Sequence, residues 1–173
     1  MSRIRPLFLC FLLIPAIVQA DPVEEEMKTR RGYWKIVELI DNGTVVGPDA
    51  ISNHLPAGGV FEILDSTILF RSRLDNSKQA KVFAIEPTVY PKQVVISSRG
   101  KTDGWGVYKF DNDRLVLCIA GPTTAQPTDF AAREGSNRML MVLEHTDSPP
   151  PKYTPGQPSS IHSTSYLQPL PKP

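Results

Sequence analysis

The sequence predicts an all-β fold, an antiparallel up-and-down barrel of roughly eight strands followed by a proline-rich tail. Three observations predict it. Short segments rich in Val, Ile, Phe, Tyr and Leu recur from Gly32 to Thr146, turn residues separate them, and apolar residues alternate with polar ones within them. The alternation gives each strand one apolar face, which a meander of about eight strands buries by closing on itself. A two-sheet sandwich fits the same pattern.

Eight segments are predicted as strands because of this apolar character. They are 33–40, 59–64, 67–73, 80–86, 93–98, 105–110, 114–120 and 138–145. Tight turns are predicted at 65–66, 75–77 and 111–113, since Asp, Asn and Ser adopt turn conformations readily. Residues 98–104 contain two glycines and predict a looser turn.

Two connections between the strands are longer than the others. Residues 41–58 are predicted to cross one end of the barrel as a flap, and residues 121–137 contain a segment, 130–134, that predicts a single helical turn. Long loops in a compact domain are the usual places for binding or gating. Both loops are therefore candidate binding segments.

Residues 1–20 have the features of a secretory signal peptide. Arg3 and Arg5 precede an apolar run that is too short to span a bilayer permanently, and the segment ends in small residues at Ala20. We predict cleavage after Ala20, a secreted or periplasmic protein, and no stable membrane insertion after cleavage. Cys10 is removed with the signal peptide, which leaves Cys118 alone and excludes an intramolecular disulfide.

The ends of the mature chain differ in composition from its centre. Residues 21–30 predict a charged, solvated leader, because three consecutive glutamates are followed closely by basic residues. The barrel domain is predicted over 31–147. Residues 148–173 predict a disordered or polyproline-like tail, since prolines are frequent there and large apolar residues are few.

Composition and motifs exclude several classes of function. The formal net charge is +1 and no basic run is present, so nucleic acid is not an expected partner. His54, His145 and His162 have no other ligands at metal-binding spacing, and neither a metal site nor a cofactor is predicted. The segment GKTDG at 100–104 lacks the spacing of a phosphate-binding loop. No catalytic constellation is visible, and an enzyme is the least favoured class.

Several short motifs carry a resemblance to a known family. Gly32 and Trp34 form a Gly-x-Trp at the start of the first strand. Further matching motifs are Pro91-Lys92, Gly106 to Tyr108, Leu115 to Cys118 and Pro127 to Phe130. The chain resembles a lipocalin-like domain family of unknown function found in planctomycete bacteria. This resemblance implies a lipocalin-like barrel in which Gly32, Trp34, Pro127 and Phe130 are structural residues, and it implies no established activity.

The chain departs from the pattern of that family at two positions. Gln126 stands where the family has an arginine before Pro-Thr, and His145 stands near the position of a closing arginine. In lipocalins a late arginine packs over the tryptophan, and such a cation–π contact stabilises by roughly 0.5–2 kcal/mol. The resemblance therefore implies that this role passes to His145, to Arg138 or to no residue.

The interior of an eight-stranded barrel is either filled by side chains or just wide enough for one small ligand. Candidate lining residues are Phe61, Phe70, Phe83, Tyr108 and Phe110. The leading hypothesis is an exported protein that binds a small apolar molecule in the barrel. The alternative is an envelope or extracellular protein-interaction module, including an inhibitor of a secreted enzyme, that acts through loops 41–58 and 121–137. Cys118 is predicted to be a small buried residue.

Overall fold

The computed structural model of the chain describes residues 21–72 and 74–152, in which nine strands form one antiparallel sheet. The strands are β1 Gly32–Asp41, β2 Thr44–Val46, β3 Val60–Leu64, β4 Thr67–Arg71, β5 Lys78–Glu86, β6 Lys92–Ser98, β7 Lys101–Asp111, β8 Arg114–Ala120 and β9 Arg138–Thr146. Two short helices, α1 Pro22–Lys28 and α2 Pro48–His54, and a 3-10 segment, Pro56–Gly59, complete the described elements.

The sheet closes into a barrel because β1 pairs with β9 as well as with β3. From β3 to β9 each strand pairs with the next one along the chain. The short strand β2 lies outside this ring and pairs only with the last residues of β1, where Leu39 stands opposite Val46. Eight strands, β1 and β3 to β9, therefore form the wall. The predicted eight-stranded up-and-down barrel is confirmed, and the sandwich is excluded.

The register assigns alternate residues to the inner face of the barrel. Along β9 these residues are Met139, Met141, Leu143 and His145. The first three stand opposite Ile119, Leu117 and Leu115 of β8, and His145 stands opposite Trp34 of β1. A bulge in β1 between Ile36 and Glu38 shifts its alternation by one residue. The buried core consists of Trp34, Ile36, Leu39, Ile51, Ile63, Phe83, Val94, Tyr108, Leu115 and Leu143.

The turns agree with the sequence prediction except between β6 and β7. Asp65 and the pair Asn112-Asp113 have the positive φ angles that tight hairpin turns require, at 48°, 48° and 64°. The predicted loose turn over 98–104 is wrong. Arg99 and Gly100 alone form the turn, and β7 already begins at Lys101. Three polar residues at the start of β7 conceal the strand in the sequence.

The first long loop is more ordered than a flap. Between β1 and β3 it contains β2, α2 and the 3-10 segment, and it places Ile51 in the barrel core with 2% of its surface exposed. Gly59 has a φ of +76°, and a side chain there would lie 2.9 Å from Ile51. The glycine is needed because α2 packs directly on this wall.

The second long loop lacks the predicted helical turn, because residues 130–134 are not helical. The loop lies instead along the outer face of β7 and β8. Trp105 donates its indole N–H to the Thr124 carbonyl over 2.9 Å, and the Cys118 thiol lies 3.7 Å from the Ala131 carbonyl. Asp129 accepts from Arg138 at the start of β9. These tertiary contacts take the place of helical hydrogen bonds.

The predicted solvated leader is only partly correct. Glu24 and Glu25 are exposed, but residues 22–28 form α1, which is capped by the Asp21 side chain. Glu26 and Arg30 pack against the barrel. The predicted signal peptide, residues 1–20, and residues 153–173 of the predicted tail lie outside the described residues. Neither α1 nor α2 has the length and apolar character needed to cross a bilayer.

Candidate ligand-binding site

One end of the barrel, here named the closed end, is covered by the start of β1. Trp34 is 1% exposed, and its ring lies 3.9 Å from the His145 ring, centroid to centroid. Gly32 has a φ of +128°, and a side chain on it would lie 3.1 Å from His145. Glycine is therefore required at this position so that His145 can reach the tryptophan. His145 thus occupies the place that the family resemblance gives to a late arginine.

A charged cluster at the closed end connects α1 to the barrel. The Arg30 side chain is 3% exposed, and its guanidinium lies 3.9 Å from the centroid of the Tyr108 ring. It pairs with Glu26 over 2.8 Å, and Lys92 of β6 pairs with the same carboxylate over 2.9 Å. The indole N–H of Trp34 donates to the Arg30 carbonyl over 2.8 Å. Arg30 therefore contacts Glu26 of α1, Trp34 of β1 and Tyr108 of β7.

Burial changes the ionisation of two members of this cluster. Burial raises the pKa of Tyr108 to about 12, although the charge of Arg30 opposes the rise. Burial would also raise the pKa of Glu26, but hydrogen bonds and charge from Lys92 and Arg30 outweigh it and lower that pKa below its ordinary value. The Tyr108 hydroxyl lies near both charged groups without a well-formed hydrogen bond in the described chain. At neutral pH the Glu26 carboxyl is thus ionised and the Tyr108 hydroxyl is neutral.

The other end of the barrel, here named the mouth, is where β1 ends and β9 begins. Six inward-facing apolar residues towards this end keep part of their surface exposed. They are Phe70, Ile96, Leu117, Ile119, Met139 and Met141, and we name them the mouth cup. These six residues are therefore partly exposed to solvent towards the mouth, whereas the deeper inward-facing residues are buried.

Strand β8 makes the difference between the two sides of the wall most visible. Its outward residues Val116, Cys118 and Ala120 are buried, because the loop 121–137 covers them. Its inward residues Leu117 and Ile119 are only half-buried. In a filled barrel the inner residues would be the better covered ones. From Leu117 to Ala120 the order is reversed, because the loop 121–137 covers the outward residues while Leu117 and Ile119 lie towards the mouth.

Polar side chains accompany the mouth cup on two walls. On β5, Lys81 faces inward opposite Ile68 and pairs with Asp103 of β7 over 2.5 Å, which Ser98 also contacts over 2.9 Å. Burial would raise the pKa of Asp103, but the hydrogen bonds from Lys81 and Ser98 lower it. Asp41 of β1 stands opposite Met139, and burial raises its pKa. The Asp41 carboxylate has no ion-pair or hydrogen-bond partner in the described chain.

The five predicted lining residues all lie on the inner face but at different depths. Phe83 and Tyr108 belong to the buried core, and Phe61 packs against it. Phe110 is 37% exposed at the closed end, 6.4 Å from Trp34. Only Phe70 is part of the mouth cup. The prediction that these residues bind a ligand stays a prediction.

The structural motif residues predicted near the end of the domain lie outside the barrel. Pro127 is fully buried under the loop 121–137, and Phe130 lies 5.4 Å from the Lys109 ammonium on the outer wall. Arg138 pairs with Asp129 and does not contact Trp34. Pro127 and Phe130 therefore help to hold the loop 121–137 on β7 and β8.

Other features of the described chain offer less chemistry. Among the described residues no three His, Cys, Asp or Glu side chains converge to hold a metal ion. Cys118 is fully buried, as predicted, and burial raises the pKa of its thiol. Two shallow depressions, of about 260 and 400 Å³, lie outside the barrel, the first beside Arg114 and the second beside Lys35 and Pro151.

Sequence reasoning missed two parts of the site. Arg30 was assigned to the leader, although its spacing of four residues from Glu26 is that of an ion pair on a helix. The methionines of β9 carry no signal of their own, because a half-buried Met and a core Met have the same sequence pattern. Only the closed register shows that Met139 and Met141 face the lumen.

No protein-family model matches the chain, and no curated protein and no solved structure matches it significantly. The resemblance to the planctomycete lipocalin-like family therefore stays a prediction from its motifs. The function has to be argued from the geometry of the barrel.

Proposed function

We propose that this is an exported protein that binds a small, largely apolar molecule in the mouth cup. The observation that carries the proposal is the burial of the second half of β8, where Leu117 and Ile119 face the lumen partly exposed while Cys118 on the outer side is fully buried. Export is part of the proposal because of the predicted signal peptide at residues 1–20.

The fold leaves part of the apolar surface of the mouth cup exposed to water. Covering apolar surface stabilises by about 25 cal/mol per Å², so a ligand that dries the six residues of the cup gains binding energy that the empty barrel does not have. Met139 and Met141 favour such a role, since their flexible side chains adapt to ligands of different shape. The cup is thus suited to an apolar molecule of variable outline.

The route of entry follows from the difference between the ends. Trp34, His145 and the Arg30 cluster cover the closed end, so a ligand enters from the mouth. Ile51 of α2 already fills part of the lumen next to Ile36. The space that remains in an eight-stranded barrel suits one small molecule.

The contacts of the two long loops give less support to the alternative of a protein-interaction module. Loop 121–137 uses its carbonyls and Asp129 for contacts within the domain, and loop 41–58 contributes Ile51 to the core. Recognition loops more often leave such groups free for a partner. An enzyme stays the least favoured class, because the sequence carries no recognisable catalytic motif.

The proposal is tested by titrating the mature protein with N-phenyl-1-naphthylamine, a neutral dye whose fluorescence rises in apolar surroundings. We expect saturable binding, and we expect Met139→Glu to weaken it at least about tenfold, because a carboxylate in the cup opposes an apolar ligand. Val82→Glu is the matched control, since Val82 is 53% exposed on the outer face of β5.

Both variants must first unfold cooperatively with midpoints near that of the unsubstituted protein. Under that condition, equal dye binding by the two variants would place the dye outside the cup. The absence of saturable dye binding by the unsubstituted protein would overturn the proposed function itself.

A further inference from the structure

We propose that the molecule bound in the mouth cup is amphipathic, with an anionic head group that lies against a basic rim on the β4 to β7 side of the mouth. This inference rests on the proposed function. We name as the basic rim five cationic residues at the mouth ends of these strands: Arg71, Lys78, Lys81, Arg99 and Lys101.

The barrel brings these residues together although the sequence separates them. Arg71 and Lys78 stand opposite each other where β4 meets β5, and Lys101 stands opposite Ser98 where β6 meets β7. The ion pair between Lys81 of β5 and Asp103 of β7 crosses the intervening strand β6 and joins the two turns. The cations therefore lie along one continuous arc of the rim.

The charge of this arc is not balanced locally. Two carboxylates accompany the five cations: Asp103 is held by Lys81 and Ser98, and Asp75 accepts from Ser77 within its own turn. Lys78, Arg99 and Lys101 are exposed and have no ion-pair partner in the described chain. Lys101, opposite the inward Ser98, is thus available to an anion on the inner side of the rim, while Lys78, on the same face of β5 as Val82, and Arg99 in the turn after β6 add positive charge around it.

The opposite wall carries the opposite sign. In the ring of eight strands β1 stands across from β6, and its inward residue at the mouth is the unpaired Asp41 beside Met139. A ligand whose apolar body lies in the cup places its polar end at the mouth. An anionic head is repelled by Asp41 and attracted to the basic rim, so the mouth fixes both the charge and the side of the head group.

The test compares three competitors of equal chain length against bound N-phenyl-1-naphthylamine: dodecanoate and dodecylamine below their critical micelle concentrations, and dodecanol below its solubility limit. We expect dodecanoate to displace the dye at a concentration at least about tenfold lower than dodecanol, and dodecylamine to be the weakest. The advantage of dodecanoate should shrink in high salt, because rim charges are exposed and screened.

A double substitution, Lys78→Gln with Lys101→Gln, should remove most of the advantage of dodecanoate and leave displacement by dodecanol unchanged. The control is Lys28→Gln with Lys109→Gln, which removes the same charge from α1 and from the outer side of β7. All four lysines are exposed, so folding should be preserved in both proteins.

Three outcomes would overturn the inference. Equal displacement by the acid and the alcohol, or stronger displacement by the amine, would show that the rim does not select an anion. Rim-dependent sedimentation with phosphatidylglycerol vesicles but not with phosphatidylcholine vesicles, without any preference for free dodecanoate, would assign the rim to a lipid surface. If the dye itself does not bind, the proposed function fails first.

Discussion

The closed end and the mouth share one inner face, but their side chains are covered to different extents. At the closed end Trp34, Tyr108 and Leu143 are almost completely buried, and a charged cluster with Arg30 seals them. At the mouth Ile119 of β8 and Met139 of β9 remain partly exposed. The contrast indicates that the closed end supplies most of the stability, while the mouth retains the apolar surface that a ligand can cover.

The largest expected effect is at the tryptophan of the closed end. Trp34→Ala should lower the free energy of unfolding by about 3–5 kcal/mol, because it leaves a large cavity under His145. Trp105→Ala, at the half-buried tryptophan on the outer wall, is the control and should cost less. Denaturant unfolding measures both. A Trp34 variant no less stable than the Trp105 variant would remove the special role of the closed end.

A pair on one strand compares the two ends directly. Leu143 and Met139 both face inward on β9, but Leu143 is fully buried and Met139 is not. Leu143→Ala should cost about 2–5 kcal/mol. Met139→Ala should cost less than about 1 kcal/mol, because its surface is already partly wet. Similar losses at the two positions would mean that the mouth is as tightly packed as the closed end.

The charged cluster gives a somewhat smaller effect. Arg30→Met should cost about 3 kcal/mol, because it leaves the carboxylate of Glu26 with one partner fewer in a buried place. Arg114→Met is the control, since Arg114 is 49% exposed and its surface ion pairs should contribute less than about 1 kcal/mol. Equal losses of unfolding free energy in the two variants would show that the Arg30 cluster stabilises the fold no more than an exposed ion pair does.

The pH dependence of stability is the smallest expected difference. Folding lowers the pKa of Glu26 below its ordinary value of 4.5, so the folded state binds fewer protons than the unfolded state near that pH. The stabilisation is therefore present above about pH 4.5 and is lost as the pH falls through the lower folded value. The stability gap between the unsubstituted protein and Glu26→Gln should narrow on acidification. A constant gap would contradict this assignment.

The strands were accessible to sequence reasoning because their signal is local. The alternation of apolar residues and the turn residues between them locate all eight strands of the barrel wall. Asn112-Asp113 marks the hairpin between β7 and β8, because Asn and Asp tolerate the positive φ angles of a tight turn. Strand β2 escaped because three residues are too few to show a period.

The site was less accessible because it depends on contacts between distant segments. The segment before β1 is polar in sequence, yet it forms α1 and the buried Arg30 that follows it. Arg30 packs on Tyr108 of β7, and Glu26 of α1 pairs with Lys92 of β6, and both partners are distant in the sequence. The single turn expected at 130–134 was replaced by contacts of Ala131 and Asp129 with the wall. At residues 130–134 local helix propensity was overridden by tertiary packing, whereas in α1 the glutamates, Met27 and Lys28 are good helix formers.

Methyl NMR of the protein labelled at its methionines tests the central claim most directly. The full chain contains four methionines, of which Met139 and Met141 lie in the cup and Met27 of α1 packs against the core at the closed end. Single Met→Leu substitutions assign the signals. On titration with N-phenyl-1-naphthylamine we expect the methyl signals of Met139 and Met141 to shift saturably and that of Met27 to stay in place. A shift of Met27 alone, or no shift of the two β9 methionines at saturation, would contradict binding in the mouth cup.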